Sequence, residues 1–273
     1  MRYQIIVNRK LESFGQFVTE GRDEINTTII NGEERPFIFG TKLRAVERRT
    51  IMKRVREVLG NDCCLKVHEK TASGISGLCM SCPACYLFGG TYAPKTGEKI
   101  QVNERTKVNY SEAYPFVGGG IQDVTFNAVD EQRNITGQAL GVNQIIKPRD
   151  FINVVDVETD DDDWVKLLIW GIEHSTRYGA NVRIYGQMRN EILGIIRSDV
   201  LELTSYELVH NFNSAEEIKR HIEKNYKQKM VRINIKDKEI DKLIKKLQKT
   251  PEVKELAKRK KGKKIADKGK KSA

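Results

Sequence analysis

Apolar and polar positions along the chain alternate between two periods, and the switches between them outline its elements. Positions 2–8 read as a short strand that leads into a polar, loop-rich segment. Over 41–59, Leu43, Val46, Ile51, Val55, Val58 and Leu59 fall near one stripe. That spacing predicts an amphipathic helix, halted by Gly60, Asn61 and Asp62. Short strand pieces follow at 108–110, 124–129 and 144–147, with Gly118, Gly119 and Gly120 among them, which predicts one or more hairpins projecting from a core sheet. Positions 151–157 alternate and are β-branched, as a strand requires. Trp164, Leu167, Leu168, Gly171 and Ile172 then return at helical spacing.

The acids at 160–163 stand where a helix N-cap and first turn favour them, a simpler account than a magnesium site. Gly179 suits a left-handed residue closing that second helix. Over 181–196, Arg183, Tyr185, Gln187 and Arg189 alternate with Val182, Ile184, Gly186 and Met188, the pattern of a strand with one apolar and one polar face. Positions 198–227 are helical in pattern, 231–235 offer a closing strand, and 236–248 an amphipathic helix. The lysine-rich stretch 258–273 reads as disordered. The fold class expected is α+β. The order strand, helix, strands, helix, strand fits a ferredoxin-like, RRM-type βαββαβ core with large insertions, although no RNP-type aromatic consensus is present.

Charge changes this picture in one place. The helix at 41–59 carries Lys42, Arg44, Arg48, Arg49, Lys53 and Arg56 away from its apolar stripe, with only Glu47 and Glu57 to offset them. A solvated face is the ordinary use of such charges; the scarcity of acids favours a phosphate-backbone partner. The formal net charge of +11 in 273 residues points the same way, but the lysine-rich end supplies most of that excess. No apolar run approaches the length of a membrane span, and positions 1–7 lack the pattern of a signal peptide. Five cysteines confined to one region argue for a reducing, cytoplasmic setting rather than a disulfide framework.

Those cysteines carry the candidate chemistry. Cys79, Cys82 and Cys85 recur at three-residue intervals, with Cys63, Cys64 and His68 upstream. Closely spaced pairs of this kind aim thiolates at one tetrahedral zinc ion. His68 is the candidate fourth ligand, with Cys64 and Cys63 as substitutes. Free buried thiols or a disulfide cluster are the plainer alternatives. No glycine-rich phosphate loop and no dinucleotide fingerprint are present.

The order His68, Cys79-x2-Cys82-Pro-x-Cys85-x2-Phe88-Gly89, then Thr125-Phe126-Asn127-Ala128-Val129, then Arg177-Tyr178-Gly179-Ala180, Gly186-x2-Arg189-Asn190 resembles one family. It is similar to the backbone subunit of type I-D CRISPR effector complexes, the D subtype of the seventh Cas family within the RAMP superfamily. The likeness runs collinearly from about position 40 to 196. It implies a modified RRM core over 1–59 and 147–197, a zinc-binding insertion at 60–90, and strands with a lid or thumb hairpin at 91–146. A helical module at 198–235 and a basic tail at 236–273 complete the expected division. It further implies a non-catalytic subunit that lines up with copies of itself and with other effector subunits along single-stranded guide RNA. Target DNA would be met through pairing with the guide, and no membrane partner is implied. Matching positions give Cys79, Cys82, Cys85 and His68 as the zinc set. Lys42, Arg44, Arg48, Arg49, Lys53, Arg177, Arg183 and Arg189 become RNA-backbone contacts. Two alternatives differ in class. A metal-dependent single-strand nuclease would use the early acids Glu20, Asp23 and Glu24, and a zinc-containing regulator would prefer duplex DNA.

Overall fold

The first strand is apolar on alternate positions and yet buried on both sides, so it belongs to the middle of a covered sheet. A computed structural model describes every residue except 20–23, 64–65, 68–74, 77, 93–101, 131, 134 and 270–273. In chain order the elements are β1 (Arg2–Leu11), β2 (Thr27–Ile30), β3 (Glu33–Pro36), α1 (Gly40–Leu59), β4 (Lys66–Val67), β5 (Ile75–Ser76) and α2 (Pro83–Phe88). There follow β6 (Gly90–Tyr92), β7 (Val102–Glu104), β8 (Val108–Tyr110), β9 (Tyr114–Pro115), β10 (Ile121–Asp130), β11 (Ile135–Ile146), β12 (Arg149–Glu158) and α3 (Asp162–Glu173). The chain closes with β13 (Met188–Ser198), α4 (Ser205–Asn211), α5 (Ala215–Asn225), α6 (Ile240–Leu247) and α7 (Pro251–Gly269). This is a mixed α+β fold.

The main sheet runs β13-β1-β12-β8, with β9 also on β12, and its pairs are antiparallel. Tyr3, Ile5 and Val7 of β1 and Val155 and Val157 of β12 share one face. They pack there with Ile51 and Val55 of α1, Leu167 and Leu168 of α3, and Ile244 and Leu247 of α6. Ile6, Ile152 and Val154 point the other way and meet Leu208 and Val209 of α4 and Ile218 and Ile222 of α5. The central strands therefore have no open face. The hairpin β10–β11 forms its own two-stranded sheet, as the projecting hairpin of the sequence reading requires.

Local signals set several boundaries. Asp161 caps α3 by accepting from the Asp163 amide at 2.9 Å, which bears out the N-cap reading of the acidic run. Thr204 and Glu207 form a reciprocal capping box that starts α4. Ser214 restarts the helix as α5 after the break at Phe212, so the single helical pattern at 198–227 becomes two helices.

Four expectations need correction. First, α3 stops at Glu173, and Gly179 serves a close approach instead. A Cβ there would lie 2.4 Å from the Gln16 carbonyl oxygen, and its φ is +89°. Second, the strand begins at Met188 and not at 181; residues 181–185 turn, with Ile184 and Tyr185 amides donating to the Asn181 carbonyl. Gly186, at φ +76°, sits where a Cβ would strike the Tyr178 carbonyl, and that local need overrides the period-2 pattern. Third, residues 231–235 form no strand; the segment meets β13 through Val231 N–H to the Ile195 carbonyl and a bridge between Ile196 and Met230. Fourth, the segment after 236 is not a tail. Ile240, Leu243, Ile244, Leu247, Val253 and Leu256 are buried in the main core, and α7 continues to Gly269.

Beneath α1 lies a fully buried ion pair, Arg9 Nη1 to Glu47 Oε1 at 2.6 Å. Arg9 also donates to the Asn153 and Asn190 side-chain oxygens, and Tyr110 and Tyr178 donate their hydroxyls to Glu47 at 2.6 and 2.9 Å. Burial works against the Arg9 charge, but the Glu47 carboxylate outweighs it and the guanidinium pKa is raised. Burial first, and then Glu47, pushes both tyrosine hydroxyls up. Every strong donor and acceptor of the pair is met, the condition under which a buried ion pair is tolerated. Glu47→Gln should lower the unfolding free energy by about 3–5 kcal/mol, the cost of stranding one charge, as read from urea midpoints. A loss below about 1 kcal/mol would mean the pair behaves as a solvated one.

Candidate functional site

Two features carry chemistry: a cluster of thiols and a set of exposed or half-buried cations around α1. The cluster is assembled from the turn that follows α1 and from the start of α2. Gly60, left-handed at φ 63°, caps α1 and turns the chain so that Cys63 lies buried just beyond. Cys82 is the N-cap of α2, Pro83 fills its first position, and Cys85 falls in its first turn. Met80 takes φ +47° between Cys79 and Cys82, which bends the chain so that these two thiols face one point.

The four ligand sulfurs of Cys63, Cys79, Cys82 and Cys85 all lie within 4.8 Å of one another. Individual separations are 3.4 Å for Cys63–Cys85, 3.8 Å for Cys63–Cys82 and 4.0 Å for Cys79–Cys85. A tetrahedron of thiolates with metal–sulfur bonds of about 2.3 Å places its sulfurs about 3.8 Å apart. A disulfide needs about 2.05 Å, and these four cysteines are free thiols. Contacts with Cys63, and then with the other two thiols, hold the Cys79 pKa down, while the same crowding and burial hold Cys82 up. Four thiolates cannot share this volume without a cation between them. The residues thus fit a metal ion. The fourth thiol is Cys63; His68 and Cys64 lie outside the described residues.

The cluster belongs to the core. Leu78, Met80, Ala84, Leu87 and Phe88 are buried with the α1–α3 layer. Tyr86 meets the Trp164 ring at 4.6 Å. The C-terminal helices close over it: Gln248 donates to the Ser81 carbonyl at 2.8 Å, Arg259 pairs with Glu104 at 2.9 Å, and the Lys260 ammonium lies 4.2 Å from the centre of the Tyr92 ring.

The candidate RNA-backbone cations do not form one face. Lys42 donates to the Val18 carbonyl at 2.6 Å. Arg44 donates to the Phe88 carbonyl with its guanidinium 5.8 Å from that ring. Arg48 is half-buried, and Arg49 and Lys53 are exposed. Glu47, expected on the outer surface as a counter-charge, is turned inward to Arg9, and Glu57 pairs with Arg54. Arg177, Arg183 and Arg189 are exposed, but Arg189 is paired with Glu12 at 3.2 Å.

Residues 15–18 join these elements, and nothing in the local pattern signals it. Lys42 of α1 reaches Val18. The Ala180 amide donates to the Gln16 carbonyl, and Asn181 to the Gln16 side chain at 2.6 Å. Gly15 exchanges backbone bonds with Ile146 at the base of the β10–β11 hairpin, and Gln16 donates to Asn143 at 3.2 Å. Of the early acids, Glu20 and Asp23 lie outside the described residues and Glu24 is exposed.

Comparison with known proteins shows the fold first. A chain described as "CRISPR RNA-guided surveillance complex" shares the fold at TM-score 0.52 and 14% identity, over 74% of this chain and 72% of that one. Another, described as "CRISPR RNA-guided surveillance complex, pre-nicking", does so at 0.53 and 11%, over 74% and 80%. The Csc2 of Thermofilum pendens is similar at TM-score 0.65 and 20% identity, over 98% of this chain and 89% of that one. Residues 2–268 match the family model described as "Csc2 Crispr", and the chain belongs to the Csc2 CRISPR family. No curated protein matches it. Among the described residues no helix is long and apolar enough to cross a membrane.

Proposed function

We propose that this chain is a non-catalytic, RNA-binding backbone subunit of a type I-D CRISPR interference complex. In this reading several copies line up along single-stranded guide RNA in the cytoplasm, beside other effector subunits, and target DNA is engaged by pairing with the guide. The observation that carries it is the family match over residues 2–268. Fold neighbours described as RNA-guided surveillance complexes support it. The element order β1-α1-β8-β12-α3-β13 with sheet order β13-β1-β12-β8 supports a modified RRM, ferredoxin-like core. Because α4 and α5 cover the sheet face that an open RRM would present to bases, the RNA is gripped elsewhere. Arg44, Arg48 and Arg49, with Lys42, Lys53, Arg177, Arg183 and Arg189, are the proposed backbone contacts. The β10–β11 hairpin is the proposed thumb. Charge without base-edge readout suits a protein whose sequence specificity comes from base pairing.

The thiol cluster is proposed as a closed structural zinc site of Cys63, Cys79, Cys82 and Cys85, with no open coordination position and His68 not required. Elemental analysis should find about one zinc per chain. Cys63→Ser should lower the content and the melting temperature together, and His68→Ala should leave both unchanged. Full zinc occupancy in Cys63→Ser would remove Cys63 from the site. The RNA-binding reading is tested by competition between a single-stranded RNA and duplex DNA of the same length. RNA should win, with affinity falling as salt rises. Preference for a defined duplex would replace this reading with that of a DNA-binding regulator.

A further inference from the structure

The last helix meets the thiol cluster through a buried root and an open end. Val253 and Leu256 of α7 lie in the same core as Cys63, Cys82 and Cys85, and Lys260 continues their face at i, i+3, i+7 spacing. Beyond that apolar root the grip is polar. Lys260 Nζ donates to the Cys79 carbonyl at 3.3 Å and stands over the Tyr92 ring of β6. Arg259 donates to the Asn103 carbonyl at 2.7 Å and pairs with Glu104 of β7. The Arg259 side chain is 42% exposed, and Glu104 holds Lys107 as a second partner. Ion pairs open to water add little to stability. This end of α7 can therefore part from the cluster while Val253 and Leu256 stay packed, a local opening rather than unfolding.

What that end covers is the exposed edge of the cluster. Cys63, Cys82 and Cys85 are buried, and of the four thiols Cys79 alone is partly open. A competing ligand has its way in at Cys79, whose carbonyl is the one Lys260 holds. Gln248, which closes α6, fixes the neighbouring Ser81 carbonyl at 2.8 Å. The turn from Cys79 to Cys82 is thus pinned twice by the same C-terminal segment. Charge acts in the same direction. Four thiolates around one divalent ion keep two negative charges, and an ammonium bonded to the backbone of one ligand favours that charge where water is partly excluded.

We infer that the end of α7 is a clasp on the metal site, in which Lys260 and Arg259 hold the helix across Cys79 and slow the escape of the ion. The inference rests on the metal reading above and goes beyond it, because it concerns how the ion leaves rather than which residues bind it. The relation is mutual: a lysine that favours the anionic site is in turn held in place by it.

The test mixes the full-length, zinc-loaded chain with an excess of a chromogenic pyridylazo chelator and reads the rate of zinc release. Lys260→Met, which keeps the length of the side chain without its charge, and Arg259→Ala should each load about one zinc per chain. Both should release it about fivefold faster than the native chain. Lys219→Met, at an exposed position of α5, should release at the native rate. Added salt should speed release from the native chain more than from Lys260→Met. In the other direction, stripping the metal should make an arginine-specific protease cut after Arg259 several-fold faster, with cleavage after Arg220 of α5 unchanged. Native release rates in both Lys260→Met and Arg259→Ala would overturn the clasp and leave the metal reading intact. Cleavage after Arg259 that ignores the metal would overturn it as well, and a native chain that holds no metal would end both readings.

Discussion

The buried contact between Arg9 and Glu47 organises the molecule more than any apolar cluster does. It ties the middle strand of the sheet to α1, and through Asn153, Asn190, Tyr110 and Tyr178 it reaches β12, β13, β8 and the loop before β13. A charge pair this deep is affordable only when every donor and acceptor is met, so the surrounding elements are held in one arrangement. Its second consequence lies outside the core. Turning Glu47 inward removes the one acid that could have neutralised the middle of α1. The positive surface of that helix thus follows from how its core is built.

The thiol cluster acts from the other side of α1. Cys63 follows the helix cap and Cys85 lies in the first turn of α2, and α2 ends at Phe88, whose carbonyl and ring hold Arg44. Whatever fixes the four sulfurs therefore fixes the wall against which the α1 arginines lie. A closed metal site is well suited to that task, since four bonds to one ion hold the Cys63 turn and α2 together.

Much of this was legible in the sequence wherever one period persisted. The strands β1 and β12 and the helices α1, α3 and α6 follow their apolar patterns, while of the hairpin the pattern marks 124–129 within β10 and only the end of β11 at 144–147. The three-residue spacing marked Cys79, Cys82 and Cys85. What escaped depended on contacts between distant positions. Alternation at 181–187 imitates a strand, but Gly186 and Gly179 are there to let backbone approach Tyr178 and Gln16. Glu47 looked like a surface acid because nothing nearby shows that Arg9, far off in sequence, needs it. From spacing alone Cys63 is only a substitute ligand, because its place in the cluster depends on how the α1 cap redirects the chain. That α4 and α5 would cover the second face of the sheet could be read from no single segment.

That covered face constrains the proposed role. With both sides of β1 and β12 buried, nucleic acid has no sheet to lie on, and the available positive groups sit at the sheet's margin. There α1, the hairpin base and the loop at 176–187 all lean on residues 15–18. A strand of RNA crossing this margin would meet cations held by one shared anchor, while the hairpin stands free of the sheet beside it. Such a surface can fix the path of a sugar–phosphate chain to within a side chain's reach and still ignore which bases it carries. Indifference of that kind is what a subunit repeated along a guide of arbitrary sequence requires, because any base preference at one position would be imposed at every position the subunit occupies.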